Sequence, residues 1–200
     1  MTDEHAATAG GGADSEQIHD VPRWRKAERE RLLAARLKLS LEYRTAQTAA
    51  IGQALDRLVP PGSSTILSVY WPIRAEPDLR AWMRAKWEQG IRIALPVAVA
   101  LGQPLEFREW RPDARMARGL WKIPYPADGA LVAPTVVLAP VIGFDAARYR
   151  LGYGGGFFDR TLARILEKPL VIGLGFPSAS IPTIYPQPHD IPMSIIVTGE

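Results

Sequence analysis

The chain has no cysteine, and its 200 residues include only three histidines, His5, His19 and His189. Without thiols there can be no disulfide, no thiolate metal centre and no cysteine nucleophile. One histidine in the body of the chain leaves a zinc enzyme or a serine–histidine hydrolase short of its usual parts, and no Gly-x-Ser-x-Gly elbow occurs. No window approaches the roughly 18 consecutive apolar residues of a membrane span. The N-terminus lacks the basic-then-apolar order of a secretory signal, so a cytoplasmic location without membrane association is expected. There is no internal repeat. The first 20 residues have no Lys or Arg, but they carry Asp3, Glu4, Asp14, Glu16 and Asp20.

What is present describes a folded domain. Hydrophobic residues make up 47% and charged residues 22%, a globular balance, and the length allows one domain with a real core. Residues 1–21 are rich in Ala, Gly, Asp and Glu, and are expected to form a mobile acidic tail because they have little to bury. Residues 22–200 are expected to form a single α/β domain. Overall charge is +3, so the body beyond the acidic segment is clearly basic. That excess suits an anionic ligand, either nucleic acid or the phosphates and carboxylates of a small molecule. RNA binding is disfavoured because the basic stretch has no interleaved aromatics beyond Trp24.

Helical composition runs from Pro22 to Leu58, with Ser40 reading as a break and fresh N-cap. Pro60–Ser64 is a loop. Thr65–Trp71 reads as a strand, and residues 77–89 as a helix with Gly90 as its C-terminal stop. Further strands are expected at Ile91–Leu95, at Leu105–Trp110 in a side hairpin, at Thr135–Ile142, at Leu170–Leu174 and at Ile195–Thr198. A helix is expected from Phe158 to Leu166. Strands alternating with helices predict a mostly parallel sheet covered on both faces, with ligands beyond the strands' carboxyl ends.

The segment Arg150-Leu151-Gly152-Tyr153-Gly154-Gly155-Gly156-Phe157-Phe158-Asp159-Arg160 stands out. Four glycines in five positions let a ligand approach the backbone, and successive amides ahead of a helix N-terminus make an anion nest. It is neither a Walker A loop nor a dinucleotide fingerprint. On its residues alone a tight surface turn is the plainer alternative. Arg150 for phosphate and Asp159 as a hard oxygen ligand favour phosphate binding.

With Gly143-Phe144-Asp145 ahead of it, this loop resembles that of the 5-formyltetrahydrofolate cyclo-ligase family. Tyr70–Leu79, Leu95-Pro96, the Phe107–Trp110 strand, His189–Met193 and the basic first helix ending at Leu39-Ser40 match in the same order. The resemblance spans roughly residues 22–198 and implies a three-layer α/β/α fold with a mostly parallel, Rossmann-like sheet. It also implies ATP-dependent conversion of 5-formyltetrahydrofolate to 5,10-methenyltetrahydrofolate, with release of ADP and phosphate. Reduced folate and ATP would be substrates, Mg²⁺ the cofactor, and the unit a monomer.

By the same resemblance Arg25 and Arg29 would contact ATP, together with Arg150, Leu151, Gly152, Tyr153, Gly154, Gly155, Gly156, Phe157 and Phe158. Arg150 and Tyr153 would also be catalytic. Trp71, Glu76, Trp110 and Tyr153 would bind the folate, and Asp159 and Asp190 the metal. From the residues alone, Arg25 and Arg29 share a helix face that could equally be a solvated basic surface. Lone aspartates are often caps, and a strand tryptophan is often packing.

Three positions depart from the family pattern. Phe157-Phe158 replaces two tyrosines, Phe176–Ser180 replaces a stretch with Glu and Gln, and Ser194 replaces an acidic residue. These departures motivate a second hypothesis, a non-catalytic protein that binds folate or nucleotide.

Overall fold

The computed structural model describes residues 20–199, so nearly all of the expected acidic tail lies outside the described residues. Helix α1 spans Val21–Leu37; the Asp20 carboxylate caps it by accepting from Arg23 N, and Pro22 fits its first turn. Helix α2 spans Leu41–Leu58, and Ser40 Oγ accepts from Tyr43 N at 3.1 Å, so the break falls where the N-cap chemistry put it. Strand β1 is Ile66–Ser68, α3 is Arg80–Glu88, β2 is Arg92–Ala98 and β3 is Leu105–Trp110. Then come β4 (Met116–Arg118), β5 (Pro124–Pro126), β6 (Val136–Pro140), β7 (Gly143–Phe144) and β8 (Arg150–Leu151). Helix α4 (Phe157–Arg164), β9 (Leu170–Leu174) and β10 (Ile195–Val197) complete the chain.

Six strands form the main sheet in the order β10-β9-β6-β1-β2-β3. All neighbours are parallel except β2 and β3, which are antiparallel with Ile93 opposite Trp110 and Ala98 opposite Leu105. Leu105–Trp110 is therefore the edge strand of the main sheet rather than part of a side hairpin. The short Val99–Pro104 connection returns the chain directly alongside β2, which leaves no room for a crossover. The side hairpin is β4–β5 instead, which sequence periodicity did not reveal because its strands are only three residues long.

The strand alternation is visible in the core. Val136 and Leu138 face one side with Ile51 and Leu55 of α2 and Met83 of α3. Val137 and Ala139 face the other with Leu162 of α4. Helix α1 packs elsewhere, with Leu32 against Ile142, Leu151, Ile181 and Ile184. It thus lies near the carboxyl end of β6, not against a sheet face. The chain leaves β1 toward β2 on one side and later returns to β6 on the other, so strand order reverses between β1 and β6. Such a switch point opens a crevice for ligands.

Candidate active site

A cavity of about 600 Å³ lies at that crevice, within the ~300–1,000 Å³ usual for small-molecule sites. Tyr70 and Trp71 after β1, Pro140 at the end of β6, Arg25 and Arg29 of α1, and the whole Gly152–Gly156 loop line it. His189, Asp190 and the β4–β5 hairpin close its rim.

The glycine loop joins β8 to α4. Gly154 (φ +91°) and Gly156 (φ +62°) take left-handed conformations that side chains disfavour. Arg29 Nε donates to Gly152 O at 2.8 Å, and Arg160 Nη2 donates to Gly155 O. Across a trans peptide the next N–H points opposite to its carbonyl, so both anchors turn amides away from the guanidinium groups. No backbone carbonyl among the described residues accepts from the amides of Tyr153, Gly154, Gly155 or Gly156. Helix α4 follows with no side-chain N-cap, which leaves its first amides and dipole available to an anion.

The two arginines of α1 diverge. Arg25 Nε and Nη2 donate to Ile184 O and Tyr185 O, and the guanidinium also grips Asp190, at 3.2 Å from Nη1 and 2.5 Å from Nη2. Both side chains of this pair are 9% exposed. Burial alone would raise the Asp190 pKa, but the Arg25 bonds, the Gln187 amide and the nearby positive charge together outweigh it and hold the carboxyl below its ordinary value. Arg29 makes one hydrogen bond among the described residues, to Gly152 O, and is half-buried; burial and the neighbouring Arg25 charge lower its pKa.

Arg150 is buried against Asp159, 3.1 Å away, donates to Ile191 O, and lies over the Phe158 ring. Asp159 Oδ1 also accepts from Ile191 N, which ties α4 to the segment carrying Asp190. No cluster of three or more His, Asp or Glu suited to a metal occurs among the described residues. Asp159 and Asp190 therefore do not make a closed protein cage. A Mg²⁺ ion arriving on phosphates needs only one or two carboxylates; Asp159 Oδ2 takes no hydrogen bond among the described residues, whereas both Asp190 oxygens accept from Arg25 and Oδ2 also from Gln187 N.

At the other wall Glu76 is buried. Its Oε2 accepts from Ile73 N at 2.8 Å and its Oε1 from the Tyr153 hydroxyl at 2.7 Å. Burial raises the Glu76 pKa, while these bonds and the Arg36 and Arg74 charges pull it back. Burial and the Glu76 charge raise that of Tyr153. Arg74 (φ +47°) and Ala75 (φ +61°) are left-handed non-glycine residues just before Glu76, strain of order 1–3 kcal/mol each. Trp71 lies beside Glu76 in the lining, with Arg80 over its ring.

Trp110 is absent from this lining but lines a neighbouring cavity that Trp71 and Glu76 also border. It is 6% exposed and sits in the core with Ile93 and Met83. Three residues along β3, Phe107 packs into the opposite core, as alternation demands.

Sequence reasoning missed Arg36, Arg74, Trp121 and Tyr125. Arg36 had a readable signal: the buried stripe of α1 is Val21, Arg25, Leu32 and Arg36, so two arginines occupy apolar-stripe positions. Trp121, exposed and left-handed at φ +55°, meets the Phe157 ring edge-on at 5.5 Å.

The departures from the family pattern fall in different places. Phe157 and Phe158 line the cavity, whereas Phe176 is buried in the interior. Ser194 Oγ accepts from Val171 N at the sheet, and Ser194 is not part of the cavity wall.

Comparison with known proteins agrees with this picture. The family model described as "5-formyltetrahydrofolate cyclo-ligase family" matches residues 21–199. A Mycolicibacterium smegmatis protein named 5-formyltetrahydrofolate cyclo-ligase is 30% identical over 185 residues, covering 88% of this chain and 94% of the relative. The NMR structure of Aquifex aeolicus 5,10-methenyltetrahydrofolate synthetase superposes with TM-score 0.75 at 24% identity, covering 88% of this chain and 90% of the other. The corresponding Mycoplasma pneumoniae synthetase gives TM-score 0.72 at 21% identity, over 88% and 99%. At these identities the two structures speak to the fold.

Proposed function

Because the chain belongs to the 5-formyltetrahydrofolate cyclo-ligase family, we propose that this cavity carries out the ATP-dependent closure of 5-formyltetrahydrofolate to 5,10-methenyltetrahydrofolate. The observation that carries the reading is the run of unpartnered amides from Tyr153 to Gly156 beside Arg29, facing a buried Glu76 across one cavity.

The triphosphate lies along the loop amides and the N-terminus of α4, with Arg29 supplying charge-assisted bonds. Arg150 adds positive charge to the same wall and holds Asp159 in place. Asp159 and Asp190 are the residues that would hold Mg²⁺, which when bound neutralises phosphate charge. Arg25 acts through Asp190 and not on the nucleotide directly. Glu76 accepts paired N–H groups of the pterin edge, and Trp71 offers a ring surface beside it.

The chemistry asked of these residues is positioning and charge stabilisation. A formamide oxygen is a poor leaving group. Its attack on the γ-phosphorus releases ADP and leaves a phosphorylated imidate; N10 then attacks that carbon, its N–H proton passes to solvent, and phosphate departs. Holding the formyl oxygen in line with the γ-phosphoryl replaces a bimolecular encounter with a pre-oriented one. No helix among the described residues is long and apolar enough to cross a membrane. A cytoplasmic setting, with no nucleic-acid partner, suits these small anionic substrates.

The test is incubation of the purified protein with 5-formyltetrahydrofolate and MgATP. We expect methenyl absorbance and ADP to rise in equal amounts. Saturable binding of both ligands with no product would instead establish the non-catalytic alternative.

A further inference from the structure

Arg36 ends the buried stripe of α1 and is 6% exposed. Its Nη1 donates to Val141 O at 3.3 Å and its Nη2 to the Tyr153 hydroxyl at 2.6 Å. Its Nε is buried without a partner among the described residues. The Tyr153 hydroxyl donates onward to Glu76 Oε1, and Ile73 N donates to Oε2.

The direction of this chain of bonds follows from which groups can donate. A guanidinium has only donors, so the Tyr153 oxygen must accept from Arg36. Its single proton is then committed to Glu76. Donors thus meet Glu76 at both oxygens, an arrangement that suits the carboxylate. A buried cation whose Nε has no partner is a costly way to fill space, and an aliphatic side chain would pack there without that penalty.

We infer that Arg36 is a positioning residue: it makes the Tyr153 hydroxyl a one-way donor, which keeps Glu76 an acceptor for the paired ring N–H groups of the reduced folate. The inference rests on the functional reading above. The charged and titratable groups around Glu76 are Arg36 from α1, Tyr153 from the glycine loop, and Tyr70 and Arg74 from the segment after β1, with Asp78 beyond Tyr70. Burial favours the protonated acid, and the Tyr153 bond and the two arginines oppose it. Removing Arg36 deletes one opposing charge and frees the hydroxyl to accept instead of donate.

Two readouts test this. The first is 5-formyltetrahydrofolate binding without nucleotide, followed by tryptophan fluorescence across pH. The second is the carboxylate infrared band of ligand-free protein, assigned by subtraction of Glu76→Gln. In Arg36→Met both midpoints should rise by about one pH unit, a tenfold change in the ratio of ionised to protonated Glu76 at a given pH. Arg36→Lys should recover part of the shift. Tyr153→Phe, altering a side chain at the cavity surface, should shift them the same way and keeps the test usable if Arg36→Met does not fold. The double variant should shift by less than the sum. Folate affinity lost with neither midpoint moved, in either single variant, would overturn the inference while leaving the functional reading intact. A shifted infrared midpoint in a protein that binds no folate would overturn the functional reading and leave the bond chain standing.

Discussion

Arg25 and Arg29 lie one helical turn apart on α1, line the same cavity, and have opposite fates. Arg25 is closed in by Asp190 and two carbonyls from the segment 184–190. Arg29 touches one loop carbonyl and keeps the rest of its guanidinium for something else. Residue type and spacing are the same for both. What separates them is how many acceptors the rest of the fold brings to each. The comparison teaches that in a basic site a saturated arginine builds the wall, while an unsaturated one keeps donors that a ligand could use.

The sharpest way to break this comparison is Arg25→Met. It leaves the nearly buried Asp190 carboxylate unpaired, so stability should fall by about 3–5 kcal/mol, measured by urea unfolding at neutral pH. The pH dependence has a definite sign. Because the folded pKa of Asp190 is depressed, the pair's contribution is complete above the unfolded value near 3.8 and lost as pH falls through the lower folded value. The gap between wild type and variant should therefore narrow in strong acid.

Arg29→Met should show the complementary pattern. Loss of charge-assisted phosphate bonds worth about 1.5–3 kcal/mol raises KM for ATP roughly 10–100-fold, with the unfolding midpoint almost unmoved. If Arg29→Met unfolds the protein and Arg25→Met alters only nucleotide affinity, the two roles have been exchanged. A smaller effect is expected from Gly154→Ala. Its φ of +91° strains any side chain, and the new Cβ would stand 3.7 Å from the Arg29 Cζ. Destabilisation of about 1–2 kcal/mol with weaker ATP binding is expected from calorimetry.

Local signals in the chain proved legible. The Ser40 break, the β6 strand and the glycine loop ahead of α4 follow from cap chemistry, β-branched runs and glycine spacing, each confined to a few residues. Long-range facts did not show. Arg25 finds its acceptors more than 150 positions away, so nothing near residue 25 distinguishes it from Arg29. A strand's alternation says that two faces exist but not which one meets a given cavity, so the sequence could not place Trp110 in the core face beside Ile93. The β4–β5 hairpin, which carries Trp121 and Tyr125, is too short for periodicity to register. Arg36 lay within reach of a helical-stripe argument, had charge not been taken as a sign of exposure.

The tie between α1 and residues 184–190 also bears on how the protein is born. During synthesis Arg25 leaves the ribosome early and waits for partners 159 to 165 residues behind it. Until they emerge, α1 has no seat for a cation destined for the interior, and this wall of the cavity is unfinished. The sheet can collapse beforehand, but the cavity wall must wait for residues 184–190, so a chain cut just before them would keep most of its core and leave Arg25 without its partners.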